Sequence, residues 1–315
     1  MRNYIIRRLF IVLISLIGVS MIIFLSVRLI PGDVVQVMLA QQGMGQAQIE
    51  QLRITFGLDR PLYIQYFNWF LGVLRGDFGH SLRTSRPILA DILLRAPVTF
   101  ELSILSAVFG IIISIPAGIL AAIKKDSFLS LFVQTGSLLG LSIPSFWLGA
   151  MIILVSSRFL KFYGGGTFIS FFDDPIGNLR MFALPSIAVG LTLSAALTRY
   201  TRSMMLEVLG EDYVRTARSK GLRESRVVLK HALSNALIPI ITVIGLQLGY
   251  LIGGVVIIET VFALPGMGRL VVDAIYQRDY PMIQAVVLII TSMVMLASLI
   301  VDILYGLVDP RIRYK

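Results

Sequence analysis

The chain has 315 residues, 56% hydrophobic and 15% charged, with a net charge of +10 and no cysteine; its mean hydropathy of +0.84 leaves too little polar surface for a soluble globule and points to a membrane protein that crosses the bilayer several times. Absence of cysteine excludes disulfides and thiolate metal sites, and His80 and His231 stand too far apart in sequence to supply a histidine metal or catalytic cluster. The cations gather at the ends of apolar runs, without the soluble, aromatic-bearing face that a nucleic-acid partner needs.

A transmembrane helix takes roughly 20 mainly apolar residues, because every backbone amide must be satisfied inside the segment. Six stretches meet that requirement: Leu9 to Ile30, Val98 to Ile123, Leu129 to Phe159, Met181 to Leu197, Ala236 to Ile258 and Met282 to Leu307. The first follows Arg7 and Arg8 as a signal peptide would, but it is long for one and ends in Arg28, Pro31 and Gly32 without a small-residue cleavage site. It reads as an uncleaved anchor. Between the first two spans, Gly32 to Pro97 carries Tyr63, Tyr66, Phe67, Trp69 and Phe70, a composition suited to a small packed subdomain with interfacial aromatics rather than to a ligand cage.

Further along, Pro116, Pro144, Pro185 and Pro239 each remove a backbone donor, so kinks or local unwinding are expected there. The third span, Leu129 to Phe159, contains Pro144, and the fourth is the shortest of the six. In the fifth, Gly245, Gly249 and Gly253 recur at a spacing of four with Gly254 beside them, the pattern of closely approaching helices. Gln247 lies on a different face and would be costly against lipid, so it is expected to face a protein interior or an aqueous path. Ser142, Ser145 and Thr242 are weaker candidates for the same lining, since such hydroxyls can bond to their own helix. No charge lies near the middle of any span: Arg28, Glu101, Arg158 and Asp302 sit within snorkelling reach of an end. From Glu259 to Pro281 an outer segment contains "ALPGMGRL", where Pro265, Gly266 and Gly268 mark a turn before an amphipathic piece with Leu270, Val271 and Ile275.

Lys and Arg are retained on the cytoplasmic side of short loops. With the N-terminus inside, that side holds 16 of the 28 basic residues and only 7 of the 18 acidic ones. Both termini are therefore expected in the cytoplasm, joined by an even number of spans. The longest cytoplasmic loop then includes "EDYVRTARSKGLRESRVVLKHALSNALIP", Glu211 to Pro239. Glu211 and Arg215 form an i, i+4 pair in the favourable order, and Val214, Ala217 and Gly221 share a face. A positive φ at Gly221 would cap this helix, after which Arg223 to Ala236 restarts with Val227, Val228, Ala232 and Leu233. The product is a compact helix, turn, helix unit. A basic loop resting on anionic lipid would explain the charge, but not the small-residue face or the fixed turn.

At these residues the chain resembles the membrane subunit of ATP-binding cassette importers, in the dipeptide, oligopeptide and nickel permease branch. The family's cytoplasmic motif is Glu-Ala-Ala, three residues, Gly, nine residues, then Ile-x-Leu-Pro; here Arg215, Thr216 and Ala217 stand at Glu-Ala-Ala, Gly221 matches the Gly and Leu233 the Leu, while His231 and Ser234 depart from the Ile and Pro. Those departures are the peptide branch's own version of the motif. The resemblance extends to "IPGD" from Ile30, "GLDRPLYIQY" from Gly57, "SIPSFWLG" from Ser142, "LPGMGRL" from Leu264, "RDYP" from Arg278 and the terminal "DPRIRYK", and so covers almost the whole chain.

The resemblance implies an all-α, six-span type I importer fold in a bacterial or archaeal inner membrane. It implies residues 1–97 as the first span plus an extracytoplasmic segment, 98–308 as the transport domain with a coupling loop at about 203–235, and 309–315 as a cytoplasmic tail. It implies that this loop docks on a nucleotide-binding subunit through Arg215, Thr216, Ala217 and Gly221, with His231 and Asn235 stabilising it. The implied assembly has a second, related permease, two ATPases holding ATP and Mg, and an extracytoplasmic binding protein that meets 32–97 and 259–281. Dipeptides or oligopeptides are the expected cargo, with nickel, metal chelates or glutathione as alternatives. From the residues themselves, Gly164, Gly165 and Gly166 are followed by Thr167 and Phe168, not by the Lys of a phosphate loop, so ATP is expected on another chain and no cofactor on this one. An ion-coupled secondary transporter is the rival class; it usually needs an intramembrane carboxylate, and the spans place no acid near the midplane.

Overall fold

The computed structural model of the chain describes residues 2–29, 59–161 and 168–308. The Ile30 to Asp33 motif, most of the outer segment before Asp59, the three glycines at 164–166 and the tail from 309 lie outside these. Helix α1 (Arg2–Arg28) leads to α2 (Leu62–Leu74) and then to α3 (Ile88–Ile123), α4 (Phe128–Ser142) and α5 (Ser145–Val155). Next come α6 (Pro175–Leu209), α7 (Asp212–Ser219), α8 (Leu233–Val261), α9 (Met267–Gln277) and α10 (Tyr280–Val308). Among the described residues, five helices are long and apolar enough to cross a membrane, or six if the bent pair α4–α5 counts as one span.

The bend falls in the third span, at the kink that Pro144 predicts. The chain turns by 106° between α4 and α5. Pro144 forces the preceding residue out of the helical region, and Ile143 accordingly sits at φ −86°, ψ 123°. Pro116, Pro185 and Pro239, by contrast, lie inside continuous helices. The fourth span, unlike the third, is revised. Far from being short, α6 runs for 35 residues and is the most enclosed of the candidate spans, with 72% of its apolar window buried. Asp174 caps it by accepting the Gly177 amide at 2.9 Å.

Buried between α3 and α6 is the main seam of the molecule. A Cβ on Gly118 would stand 2.5 Å from Thr201, and one on Gly190 would stand 2.8 Å from the Ser106 carbonyl oxygen. Close approach of this kind holds helices together where lipid supplies no hydrophobic drive between them. Leu102, Phe182 and Leu197 fill the seam beside Val255 and Ile258 of α8. In the fifth span the glycine pattern works only in part. Gly245 packs against Val301 of α10, whereas Gly253 and Gly254 face open space.

The ends of α1 and α10 report the topology directly. Tyr4 donates to the Asp302 carbonyl at 3.2 Å, and Arg8 pairs with the Asp302 carboxylate at 3.0 Å. The chain therefore begins and ends its spans on the same side of the membrane. Farther along α1, Ser20 and Tyr66 share a hydrogen bond of 2.9 Å, and Phe24 meets Tyr66 edge to face. Stacking of Tyr66 on Phe70 completes a packed aromatic knot rather than an open cage.

Gly118→Val is expected to lower stability in detergent by about 1–3 kcal/mol, the usual cost of overpacking a tight contact. Gly253→Ala, placed in open space, should leave the unfolding midpoint unchanged or slightly raised. Thermal unfolding of the two variants side by side checks the seam.

Candidate functional site

The cytoplasmic hairpin follows the sequence pattern closely. Helix α7 ends at Ser219 with Lys220 as its C-cap, Gly221 adopts φ +74°, and a helical turn at Glu224–Arg226 continues through a π-helical segment, Val227–Ala232, into α8. Nothing lies within 4 Å of a Cβ built on Gly221. Its requirement for glycine is thus one of backbone conformation, not of space. Beneath the turn, Val214, Ala217 and Val227 form a small buried core, closed by Val208, Leu209 and Leu222. Burial of a side chain such as Val214 or Val227 is worth about 1.5–3 kcal/mol, enough to hold a short hairpin in one shape.

This arrangement separates the residues expected to form one docking face. Arg215, Thr216 and Gly221 are exposed, but Ala217 is buried against the hairpin's own core. The pattern of small residues at 214 and 217 marks the inward face. Arg215 also pairs differently: it reaches Asp212 at 3.4 Å, an i, i+3 pair in place of the i, i+4 pair with Glu211. Asn235 donates to the Tyr213 hydroxyl at 2.9 Å and to the His231 carbonyl at 3.0 Å, tying α7 to the start of α8. His231 takes part through its backbone.

Across the turn, Arg218 grips Glu224 with its Nε and one terminal nitrogen, the shortest contact being 2.7 Å. Sequence reading missed this clasp, because its partners are six residues apart and meet only once Gly221 reverses the chain. Hydrogen bonding from Arg218 holds the Glu224 carboxyl below its ordinary value of 4.5. Arg215, Lys220, Arg223, Arg226 and Lys230 remain exposed around it, so the hairpin presents a cationic surface on a rigid support. Val228, Ala232 and Ala236 seat that support on Ala122 of α3 and Met205 of α6.

The four candidate lining residues are less unified. Ser142 donates to Leu138 and Thr242 to Ile238, each bonding its own helix. Ser145 and Gln247 are half-buried, and no hydrogen bond among the described residues joins the four to one another. A small cleft does open between α4 and α6, where Gln134 and Ser137 face Arg199 and Arg202.

On the far side of the membrane, α8 and α9 meet in a corner built from the "LPGMGRL" stretch. Glu259 belongs to the last turn of α8 rather than to an outer loop, and it is fully buried. Its carboxylate accepts the Thr99 hydroxyl at 2.6 Å and the Arg269 amide at 3.1 Å. Leu270 and Val271 of α9 pack inward, while Ile275 is exposed. The "RDYP" stretch caps the next helix: Arg278 turns the chain with φ +57°, and Asp279 accepts the Ser81 hydroxyl and the Leu82 and Met282 amides.

Residues 114–314 match the family described as the binding-protein-dependent transport system inner membrane component. Residues 1–103 match its companion, the N-terminal part of the same membrane component. The chain belongs to this family. It is a multi-pass inner membrane protein. Among its relatives, the dipeptide transport system permease protein DppB of Escherichia coli (strain K12) is 39% identical, with both chains covered in full. The oligopeptide transport system permease protein AppB of Bacillus subtilis (strain 168) is 40% identical with the same coverage, and the glutathione transport system permease protein GsiC of E. coli K12 is 39% identical. Two solved inward-facing forms of the MetNI methionine ABC transporter match with TM-scores of 0.60 and 0.61 at 18% identity, over 72% of this chain and 100% of theirs. The fold of this inner membrane component is that of a type I importer permease.

Charge reversal at Arg218→Glu should loosen the hairpin, speeding hydrogen exchange of its amides severalfold, consistent with the 0.2–1 kcal/mol of an exposed pair. The exchanged pair, Arg218→Glu with Glu224→Arg, should restore protection. Because Glu224 titrates below its ordinary value of 4.5, the clasp is complete above that pH and is lost as pH falls through the lower folded value. Exchange measured across that window reads the loss directly.

Proposed function

We propose that this chain is the permease subunit of an ATP-binding cassette importer for dipeptides or oligopeptides, forming half of the path and turning a partner's nucleotide cycle into movement of its spans. The observation that carries the reading is mechanical. The hairpin is a rigid body with its own core, continuous with α6 on one side and α8 on the other, and it rests on the end of α3. A push on it cannot be absorbed locally, so it tilts the helices that make the main seam. Similarity to dipeptide, oligopeptide and glutathione permeases along the full chain supports peptide cargo.

In this reading residues 1–97 supply the first span and an extracytoplasmic segment, 98–308 the transport domain, and about 203–235 the coupling loop. Arg215, Thr216 and the turn at Gly221 touch the ATPase; Ala217 supports them from beneath, and Asn235 holds the hairpin to α8. The permease has no nucleotide site of its own. ATP and Mg belong to two ATPase subunits, a second permease completes the path, and an extracytoplasmic binding protein delivers cargo to the outer corner. Gln247, Ser142, Ser145 and Thr242 are assigned to the path lining.

Gly221→Leu is the decisive variant, because a bulky residue disfavours the left-handed turn by roughly 1–2 kcal/mol and misdirects the hairpin. Reconstituted with its co-expressed subunits, it should insert normally yet lose ATP-driven uptake of labelled dipeptides. Uptake by the isolated chain without nucleotide would instead identify a secondary transporter.

A further inference from the structure

We propose that Glu259 is a positioning residue for transport: its carboxylate pins the outer helix α9 to α3 and α8, so that a load on α9 is delivered to the spans of the main seam. This inference rests on the importer reading above and names the part of the outer corner that transmits.

Helix α9 begins without a side-chain cap of its own, since its N-cap residue is Gly266. The first amides of a helix need acceptors, and here other helices provide them. Glu259 accepts the Arg269 amide through Oε2 at 3.1 Å. Thr99 of α3 accepts the Met267 amide at 2.9 Å while donating its own proton to Glu259 Oε1 at 2.6 Å. Two amides in the first turn of α9 thus end on one residue from α8 and one from α3. Both groups that meet the carboxylate are donors. The site is built to this side chain: a Cβ on Gly266 would stand 2.2 Å from the Glu259 carboxyl carbon, and one on Gly268 would stand 2.4 Å from the Val256 backbone.

The apolar contacts of α9 do not fix its direction. Its buried face, including Leu270 and Val271, lies on Ile88 and Ile92 of α3 and on Met282 and Val286 of α10. Apolar contacts are non-directional and allow sliding, whereas charge-assisted hydrogen bonds at a helix end set both angle and register. At its other end α9 is held through Asp279, which takes the Ser81 hydroxyl and caps α10, and through Arg83, which donates to the Gln277 carbonyl at 2.8 Å. Between the two anchors Ile275 and Tyr276 stand exposed, Tyr276 at 85%, where a partner can bear on them. A helix pinned at both ends and loaded in between acts as a lever.

Glu259→Gln replaces an acceptor with an amide group that confronts the α9 donors, and Thr99→Val removes the relay with little change of volume. Thr99→Ser keeps the hydroxyl. The chain has no cysteine, so with the partner subunits also made cysteine-free, spin labels at Tyr276→Cys and Leu94→Cys report the distance from α9 to α3 alone. In the complete transporter in lipid nanodiscs, Glu259→Gln and Thr99→Val should broaden a single narrow distance distribution, and Thr99→Ser should not. The same two variants should keep basal ATPase activity but lose stimulation by substrate-loaded binding protein by about 5-fold or more, with Thr99→Ser again unaffected. Unchanged distances in both variants overturn the pin; broadened distances with full stimulation overturn its role in transmission. If Glu259→Gln fails to accumulate, the Thr99 pair decides. A parent transporter that no binding protein stimulates would refute the importer reading, while the distance measurement still judges the pin.

Discussion

Hydrocarbon cannot bond to a peptide group and gives apolar helices no reason to associate, so packing between backbones must do that work. The seam of α3 on α6 is where this protein meets the constraint. Gly118 against Thr201 and Gly190 against Ser106 bring the two helices to backbone contact. Everything with chemistry hangs from that pair: the hairpin grows from the end of α6 and rests on the end of α3, and the outer corner is tied to α3 through Thr99.

The two ends of the molecule solve one problem in different ways. Where a helix stops, its terminal amides or carbonyls must find partners outside the helix. On the cytoplasmic side water is available, so the hairpin relies on a glycine turn, an exposed Arg218–Glu224 clasp and the Asn235–Tyr213 bond. At the outer corner the first turn of α9 is buried, and a fully buried carboxylate takes the place of water. An acid near the end of a span therefore does not signal an ion path here; its oxygens are engaged by Thr99 and by the start of α9.

Much of the site was legible because its signals are local. Gly221 declared its turn through the break in the apolar pattern around it, and Asn235 lies where the hairpin rejoins its span. What sequence misjudged involves partners far apart in the chain. The small face at Val214 and Ala217 could equally have met another protein or its own chain, and the structure turns it onto Val227. Pro144 was visible as a breaker, but the 106° turn depends on how α5 packs against the outer half of α8, with Gly149 beside Ile258. Glu259 looked like the start of a polar loop because its partners, Thr99 and Arg269, lie 160 and 10 residues away.

Sequence alone determined that this is a polytopic membrane protein, which side its cations face and where a reversing turn interrupts the basic loop, since hydropathy, charge placement and glycine conformation are properties of short stretches. Only the tertiary structure decided which glycines carry helix contacts, which face of the hairpin is free and what the buried acid binds. Those depend on surfaces that meet after the chain has folded back on itself, and a one-dimensional pattern holds no record of what lies opposite.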